Sequence, residues 1–255
     1  MLFRSSDKVD KEIIDAGENL KIVVRAGAGY DNVDVEAAAA RGVVVMNTPG
    51  QNSNAVAELA MGMMVYLNRN GFNGTSGTEL RGKKLGIHAY GYVGRIVGMI
   101  AKGFGMKVYA FDPFVDKVYI ENDGVKAETS VEALYSKCQY ISLHIPSNRE
   151  THRSVNYELM NKMPQGATLV NTARKEVIDE DALLRILEER DDFRYISDIA
   201  PDCLEEVEQK YADRTFFTPK KMGAQTAEAN LNAGVAAVKQ IVAFLEEGDT
   251  TFKVN

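Results

Sequence analysis

Strand-patterned and helix-patterned segments alternate along the whole chain, which predicts an α/β fold with parallel sheets covered by helices on both faces. Two further observations sharpen that expectation. A glycine turn at 89–94 stands between a strand and a helix, and small or charged residues gather at the carboxyl ends of successive strand segments. Ligands of such sheets bind beyond those ends, so the residues there carry the functional question. No internal repeat or low-complexity tract interrupts the pattern.

Taken in order, 20–24 is a buried strand, 25–29 its glycine-rich turn, 35–41 a short helix and 43–46 a strand. A long amphipathic helix spans 54–68, capped by Asn52 or Asn54. Residues 70–76, rich in Gly, Asn, Ser and Thr, read as a surface loop between two domains. Strand 84–88, helix 95–104 and strand 107–111 follow, then a helix near 131–135 and strand 140–144. Helix 157–162, strand 167–171, helix 179–189, strand 193–198, short strand 216–218 and helix 226–247 complete the order.

The turn reads Ala89, Tyr90, Gly91, Tyr92, Val93, Gly94. Gly91 lets backbone approach a pyrophosphate, which the N–H groups and dipole of the following helix attract. Gly94 allows close packing of helix on strand, and Asp112 is spaced to accept hydrogen bonds from the adenosine ribose. Ala89 departs from the first glycine of this fingerprint, although a small residue fits the turn. The constellation implies an adenine dinucleotide; the alternative is an ordinary βα turn in a nucleotide-free protein. Asp112 repels a 2′-phosphate, and Pro113, Phe114 and Val115 supply no arginine for one, so NAD is expected over NADP.

Composition excludes several classes. A formal charge of −6 with no basic run argues against a nucleic-acid surface. The most apolar helix, near 55–67, is too short for a bilayer and carries Glu58. The N-terminus lacks the apolar segment of a signal peptide. Cys138 and Cys203 form neither a disulfide framework nor a zinc pattern, so no metal is expected and a reducing, cytoplasmic setting is the plain inference.

Several strand ends, read together, resemble the D-2-hydroxyacid dehydrogenase family, and within it the phosphoglycerate dehydrogenases. The pieces are 25–34 (RAGAGYDNVD), Asn47-Thr48-Pro49 through Ala55-Val56-Ala57-Glu58, 79–83 (ELRGK), Leu143-His144-Ile145-Pro146, Asn171-Thr172-Ala173-Arg174 and Gly223-Ala224-Gln225-Thr226, in family order over essentially the whole chain. The resemblance implies two doubly wound parallel-sheet domains, a Rossmann nucleotide-binding domain inserted into a smaller flavodoxin-like substrate domain. Here that places the substrate domain at 1–69 plus 227–255 and the NAD domain at 70–226. It also implies NAD-dependent oxidation of a 2-hydroxy acid. For the 3-phosphoglycerate branch that reaction is the first step of serine biosynthesis.

By the same resemblance Tyr90, Gly91, Tyr92, Val93, Gly94, Asp112, His144, Pro146, Thr172 and Asp198 hold the cofactor, Asp198 at its nicotinamide end. Arg174 holds the substrate carboxylate and polarises the forming carbonyl; its planar fork suits a bidentate grip. The turn of Ala26, Gly27 and Ala28 offers backbone N–H groups to the same carboxylate. Arg4, Ser5 and Arg25 are placed to meet a phosphorylated substrate, with an unphosphorylated D-2-hydroxy acid as runner-up.

The proton-transfer group departs from the family. The usual histidine before Gly223 is replaced within Pro219-Lys220-Lys221-Met222, and His88, His144 and His152 all lie elsewhere. The glutamate that orients that histidine is replaced by Cys203 or Asp202. Either the site is inactive or a lysine has taken over. Losing both partners together is coherent with lysine: a glutamate raises the pKa of a neighbouring base, which helps a histidine and disables an amine. A lysine base half neutral at pH 7 needs its pKa lowered by roughly 3, and burial and a neighbouring guanidinium push that way. Counting back from Gly223 favours Lys221; counting forward from Pro219 favours Lys220. A catalytically inactive NAD-binding sensor remains the competing class.

Three further expectations concern the chain as a whole. Residues 3–6 resemble the middle of the family's substrate domain, so either the natural protein is longer or this domain is small and N-terminally incomplete. No amino-acid-binding module follows Asn255, so serine feedback is not expected. Helix 54–68 resembles the family's pairing surface and suggests a homodimer, unless its apolar face is core.

Overall fold

The computed structural model describes residues 1–3 and 8–255, so the expectations for Arg4, Ser5 and Ser6 fall outside the described residues. Contacts divide the chain into two compact units, Met1–Ala55 with Ala224–Asn255, and Val56–Gly223.

The first unit holds β1 (Leu2–Phe3), α1 (Lys11–Ala16), β2 (Ile22–Arg25), α2 (Val35–Ala40), β3 (Val44–Asn47) and, from the far end of the chain, a long closing helix. Its sheet is parallel in the order β1-β2-β3. Alternate side chains face opposite ways along a strand. Val23 and Val45 therefore join Val9, Ile14 and Ala38 on one face, while Ile22, Val24 and Met46 meet Ala233 and Ala237 on the other.

The second unit runs through α3 (Ser53–Asn68), β4 (Lys84–His88), α4 (Tyr92–Gly103), β5 (Lys107–Phe111), α5 (Lys117–Asn122), β6 (Lys126–Ala127), α6 (Val131–Lys137), β7 (Tyr140–Leu143), α7 (Tyr157–Lys162), β8 (Thr168–Asn171), α8 (Glu180–Glu189), β9 (Arg194–Ser197), α9 (Leu204–Tyr211) and β10 (Thr215–Phe217). The closing helix of the first unit is α10 (Ala227–Glu247). All seven strands are parallel, in the order β10-β9-β8-β7-β4-β5-β6. The order reverses between β4 and β7, which makes their carboxyl ends the switch-point crevice of a doubly wound sheet. Leu85 and Ile87 face α3 and α4; Ile141, Leu169 and Tyr195 face α6, α7 and α8.

Two expectations shift. Helix α3 was assigned to the first domain, yet Ala57, Ala60, Met61, Met64 and Leu67 pack with Leu85, Ile87 and Val97 of the second unit. Its apolar face is therefore core, the alternative left open above. The break accordingly falls between Ala55 and Val56, and the polar loop 70–76 lies inside the second unit rather than between the two. Helix α4 begins at Tyr92, not at residue 95, so Gly94 is already helical.

Candidate functional site

The nucleotide turn departs from β4 and is drawn shut by Asp112. Its Oδ2 accepts the Tyr90 N–H at 2.7 Å and its Oδ1 accepts the Phe114 N–H at 2.8 Å. Each oxygen keeps a lone pair for a ribose hydroxyl. Ala89, in the place of the first glycine, has φ 79, a left-handed conformation that stores about 1 kcal/mol in a residue with a Cβ.

The two remaining glycines answer to different demands. A Cβ on Gly94 would lie 2.3 Å from Ala89 O and 2.9 Å from Ile87 Cγ2, so the packing of α4 on β4 requires glycine there. A Cβ on Gly91 would meet nothing within 4 Å, and its φ of −80 suits any residue. The chain itself has no need of glycine at 91. A pyrophosphate approaching the backbone does. Helices α6, α8 and α10 are capped by the side chains of Ser130, Asp179 and Thr226, whereas α4 begins on Gly91 without a side-chain cap, leaving its first N–H groups for an anion.

Other predicted cofactor residues line up along the same strand ends. His144 follows β7, its N–H donating to His88 O at 2.9 Å and its Nε2 lying 2.9 Å from Ser142 Oγ. Burial lowers the pKa of His144 to about 3 and that of His88 to about 4, so both rings are neutral at physiological pH. Thr172 Oγ1 is buried without a partner among the described residues, a state that costs about 1–3 kcal/mol until a ligand's polar group relieves it. Pro146 is exposed, and its carbonyl accepts from Thr151 Oγ1 at 2.6 Å. Tyr90 contributes backbone alone, because its ring is buried and its hydroxyl donates to Asp123. Tyr92 is exposed at the first turn of α4 and Val93 packs against the core. A cavity of about 440 Å³ beside α4 is lined by Tyr90, Tyr92, Arg95, Met99, Lys102 and Asp123. Sequence reasoning missed Phe114, whose ring is 90% exposed next to Asp112 and offers an adenine a flat apolar face. That exposure of a large aromatic has no sequence signal.

The carboxyl ends of β8 and β9 carry the charged groups. Asn171, fully buried, accepts the Ala173 N–H and donates to Arg174 O, both at 2.9 Å, which locks the turn that presents Arg174. Arg174 Nη1 donates to Ala173 O at 3.0 Å, and Lys221 Nζ reaches the same oxygen at 2.8 Å. A guanidinium and an amine thus meet on one main-chain carbonyl, within reach of one small anion. Both lysines are exposed, so the burial expected to lower a lysine base's pKa is not what the structure gives Lys221. Lys220 enters the network through its carbonyl, which lies 2.9 Å from Thr218 Oγ1. Both candidates for the missing glutamate have partners elsewhere. Asp202 pairs with Lys175, and the backbone N–H groups of Asp202 and Cys203 are both capped by Glu180. Burial and the Glu180 charge push the Cys203 thiol up to about 12, so it stays protonated.

In the first unit, Arg25 ends β2 and its side chain folds over Gly27: a Cβ on Gly27 would lie 1.6 Å from Arg25 Nη1. The N–H groups of Ala26 and Gly27 already donate to Phe3 O and Arg25 O. Two of the three N–H groups expected to meet an anion, those of Ala26 and Gly27, are therefore already engaged.

Residues 39–219 match the family model described as D-isomer specific 2-hydroxyacid dehydrogenase, NAD binding domain. The chain belongs to that family. Its fold matches the NAD⁺-bound 3-phosphoglycerate dehydrogenase of Entamoeba histolytica at 50% identity and a TM-score of 0.92, over 100% of this chain and 81% of that one. It is 36% identical to a hydroxypyruvate reductase of Thermotoga maritima, over 94% of this chain and 83% of the reductase. Identity to a D-3-phosphoglycerate dehydrogenase of Methanocaldococcus jannaschii is also 36%, over 94% of this chain and 48% of that enzyme. The chain thus spans about half the length of that dehydrogenase. NAD fits the turn described above, and no helix among the described residues is long and apolar enough to cross a membrane.

Proposed function

We propose that the chain oxidises D-3-phosphoglycerate to 3-phosphohydroxypyruvate with NAD, with Arg174 gripping the carboxylate and Lys221 transferring the proton. The observation that carries this reading is the shared Ala173 carbonyl, which brings both cations to one point. Bound NAD supplies the hydride acceptor. Arg174 forks onto the carboxylate and the forming carbonyl oxygen, stabilising charge there. Lys221, when neutral, removes the hydroxyl proton; in the reducing direction its ammonium returns it. Asp112 favours NAD by charge. Arg25 and Arg4 supply cations for the phosphate.

Replacing Lys221 by alanine should lower kcat by about 1000-fold while leaving NADH affinity within about threefold. Lys220→Ala should stay within about threefold of the parent, since its amine is not engaged with Ala173 O. Full turnover in Lys221→Ala refutes the lysine role. The hydroxypyruvate reductase likeness, which covers more of its relative, favours a second reading in which an unphosphorylated hydroxy acid is the substrate. Comparing kcat/KM for glycerate and 3-phosphoglycerate separates the two. An NAD-binding sensor would bind NADH and oxidise neither. A cytoplasmic setting belongs to the same proposal, as does a homodimer, although the core position of the α3 face removes the surface first considered for it; light scattering tests the dimer.

A further inference from the structure

Asp198 follows β9 and is completely buried. An isolated buried carboxylate is prohibitively expensive, so its partners define its task. Its Oδ1 accepts the Met222 N–H at 2.9 Å and lies 2.9 Å from Thr218 Oγ1; its Oδ2 accepts the Gly223 N–H at 2.8 Å. The Thr218 hydroxyl lies equally close to Lys220 O, so its single proton serves one of the two oxygens at a time. All of these partners come from residues 218–223, and Lys221 sits between the points of attachment. A Cβ on Gly223 would lie 2.9 Å from Asp198 Oδ2, so glycine there lets the N–H approach.

We infer that Asp198 is a positioning residue for Lys221: its carboxylate grips both ends of the loop and fixes where the amine stands beside Arg174. The inference rests on the lysine reading above, and it assigns to Asp198 a task other than the cofactor contact expected from family resemblance. One lone pair on Oδ2 remains for a cofactor, and one on Oδ1 only while the Thr218 proton serves Lys220 O. Asparagine cannot substitute, because its amide nitrogen would face a main-chain N–H that needs an acceptor.

The test compares Asp198→Asn, Lys221→Ala and the double variant of the 255-residue chain, with Thr218→Val as a milder lesion should Asp198→Asn fail to fold. In cofactor-free protein, acetylation of Lys221 by acetic anhydride is read by peptide mass spectrometry. The exposed Lys210, paired with Glu206, serves as reference. Asp198→Asn should speed Lys221 labelling by at least about threefold and Thr218→Val by about twofold, since a released loop frees the amine from the Ala173 carbonyl. An unchanged labelling rate in both variants overturns the inference. In turnover, Asp198→Asn should lower kcat by about 30-fold in the parent. In Lys221→Ala rescued with ethylamine it should cost less than about threefold, because a free amine needs no loop. Equal losses in the two backgrounds also overturn it and return Asp198 to the cofactor. If Lys221→Ala alone keeps full turnover, the proposed mechanism fails, while the labelling result still judges the grip.

Discussion

Gly91 and Gly94 belong to one sequence fingerprint, yet alanine at each should do opposite things. At Gly94 the new methyl would sit 2.3 Å from a backbone oxygen, where carbon–oxygen contacts ordinarily begin near 3.3 Å, so α4 must retreat by about 1 Å. Val97 and Ala101, both fully buried, would lose part of their contact with Ile87 and Leu85. A gap of that size forfeits a quarter to a half of each contact's attraction, and strain of this kind typically totals about 3 kcal/mol. For a domain of this size the melting temperature should fall by about 6–12 °C. At Gly91 the methyl meets nothing, so the loss is confined to N-cap preference, about 0.5–1 kcal/mol. The same methyl stands where a pyrophosphate must approach, and NADH affinity should drop by at least about 30-fold, or ~2 kcal/mol. Thermal melts and NADH fluorescence titration measure the two effects. If Gly91→Ala binds NADH like the parent, the pyrophosphate does not sit on this turn and the division of labour is wrong.

Three other expectations follow from the same geometry. Asp112→Ser should weaken NADH by about 2 kcal/mol and NADPH by much less, narrowing the ratio of the two dissociation constants; an unchanged ratio contradicts the ribose role. Gly27 has φ 154, a conformation that a residue with a Cβ rarely adopts, so Gly27→Ala should cost about 1–3 kcal/mol of stability as well as displacing the end of Arg25, and KM for a phosphorylated substrate should rise about tenfold; a parental KM removes Arg25 from substrate binding. His88 and His144 have pKa values lowered to about 4 and about 3 by burial. Between pH 6.5 and those values the unfolded chain alone takes up protons, so stability is complete above pH 6.5 and falls as acid is added. His88→Gln, which retains a polar partner for the buried Tyr135 hydroxyl, should flatten that acid limb in melts from pH 7 to 4; an unaltered limb removes His88 as its source.

Legibility from sequence followed the density of apolar residues. Strands β4 and β5 and helix α7 match their expected limits, because β-branched runs and polar punctuation bracket them. Helices α1, α5 and α9 escaped notice: each buries one residue, Ile14, Ile120 or Val207, too few to mark a helical period. The start of α4 was misplaced because its cap, Gly91, has no side chain to announce it. The same blindness affects the site. Arg174, Lys221 and Asp112 were readable as charged residues at strand ends. The Asn171 lock and the grip of Asp198 were not, since their partners are largely main-chain N–H and carbonyl groups with no residue identity.

The Ala173 oxygen has an unusual genetic status. It belongs to the peptide backbone, so no exchange of one amino acid for another can delete it, and drift at codon 173 leaves the acceptor in place as long as the turn persists. Removing it takes chemistry rather than mutation, such as replacing the 173–174 amide by an ester, whose carbonyl is a weaker acceptor. Alignments of relatives will show variability or constancy at this position without ever recording that two cations lean on it.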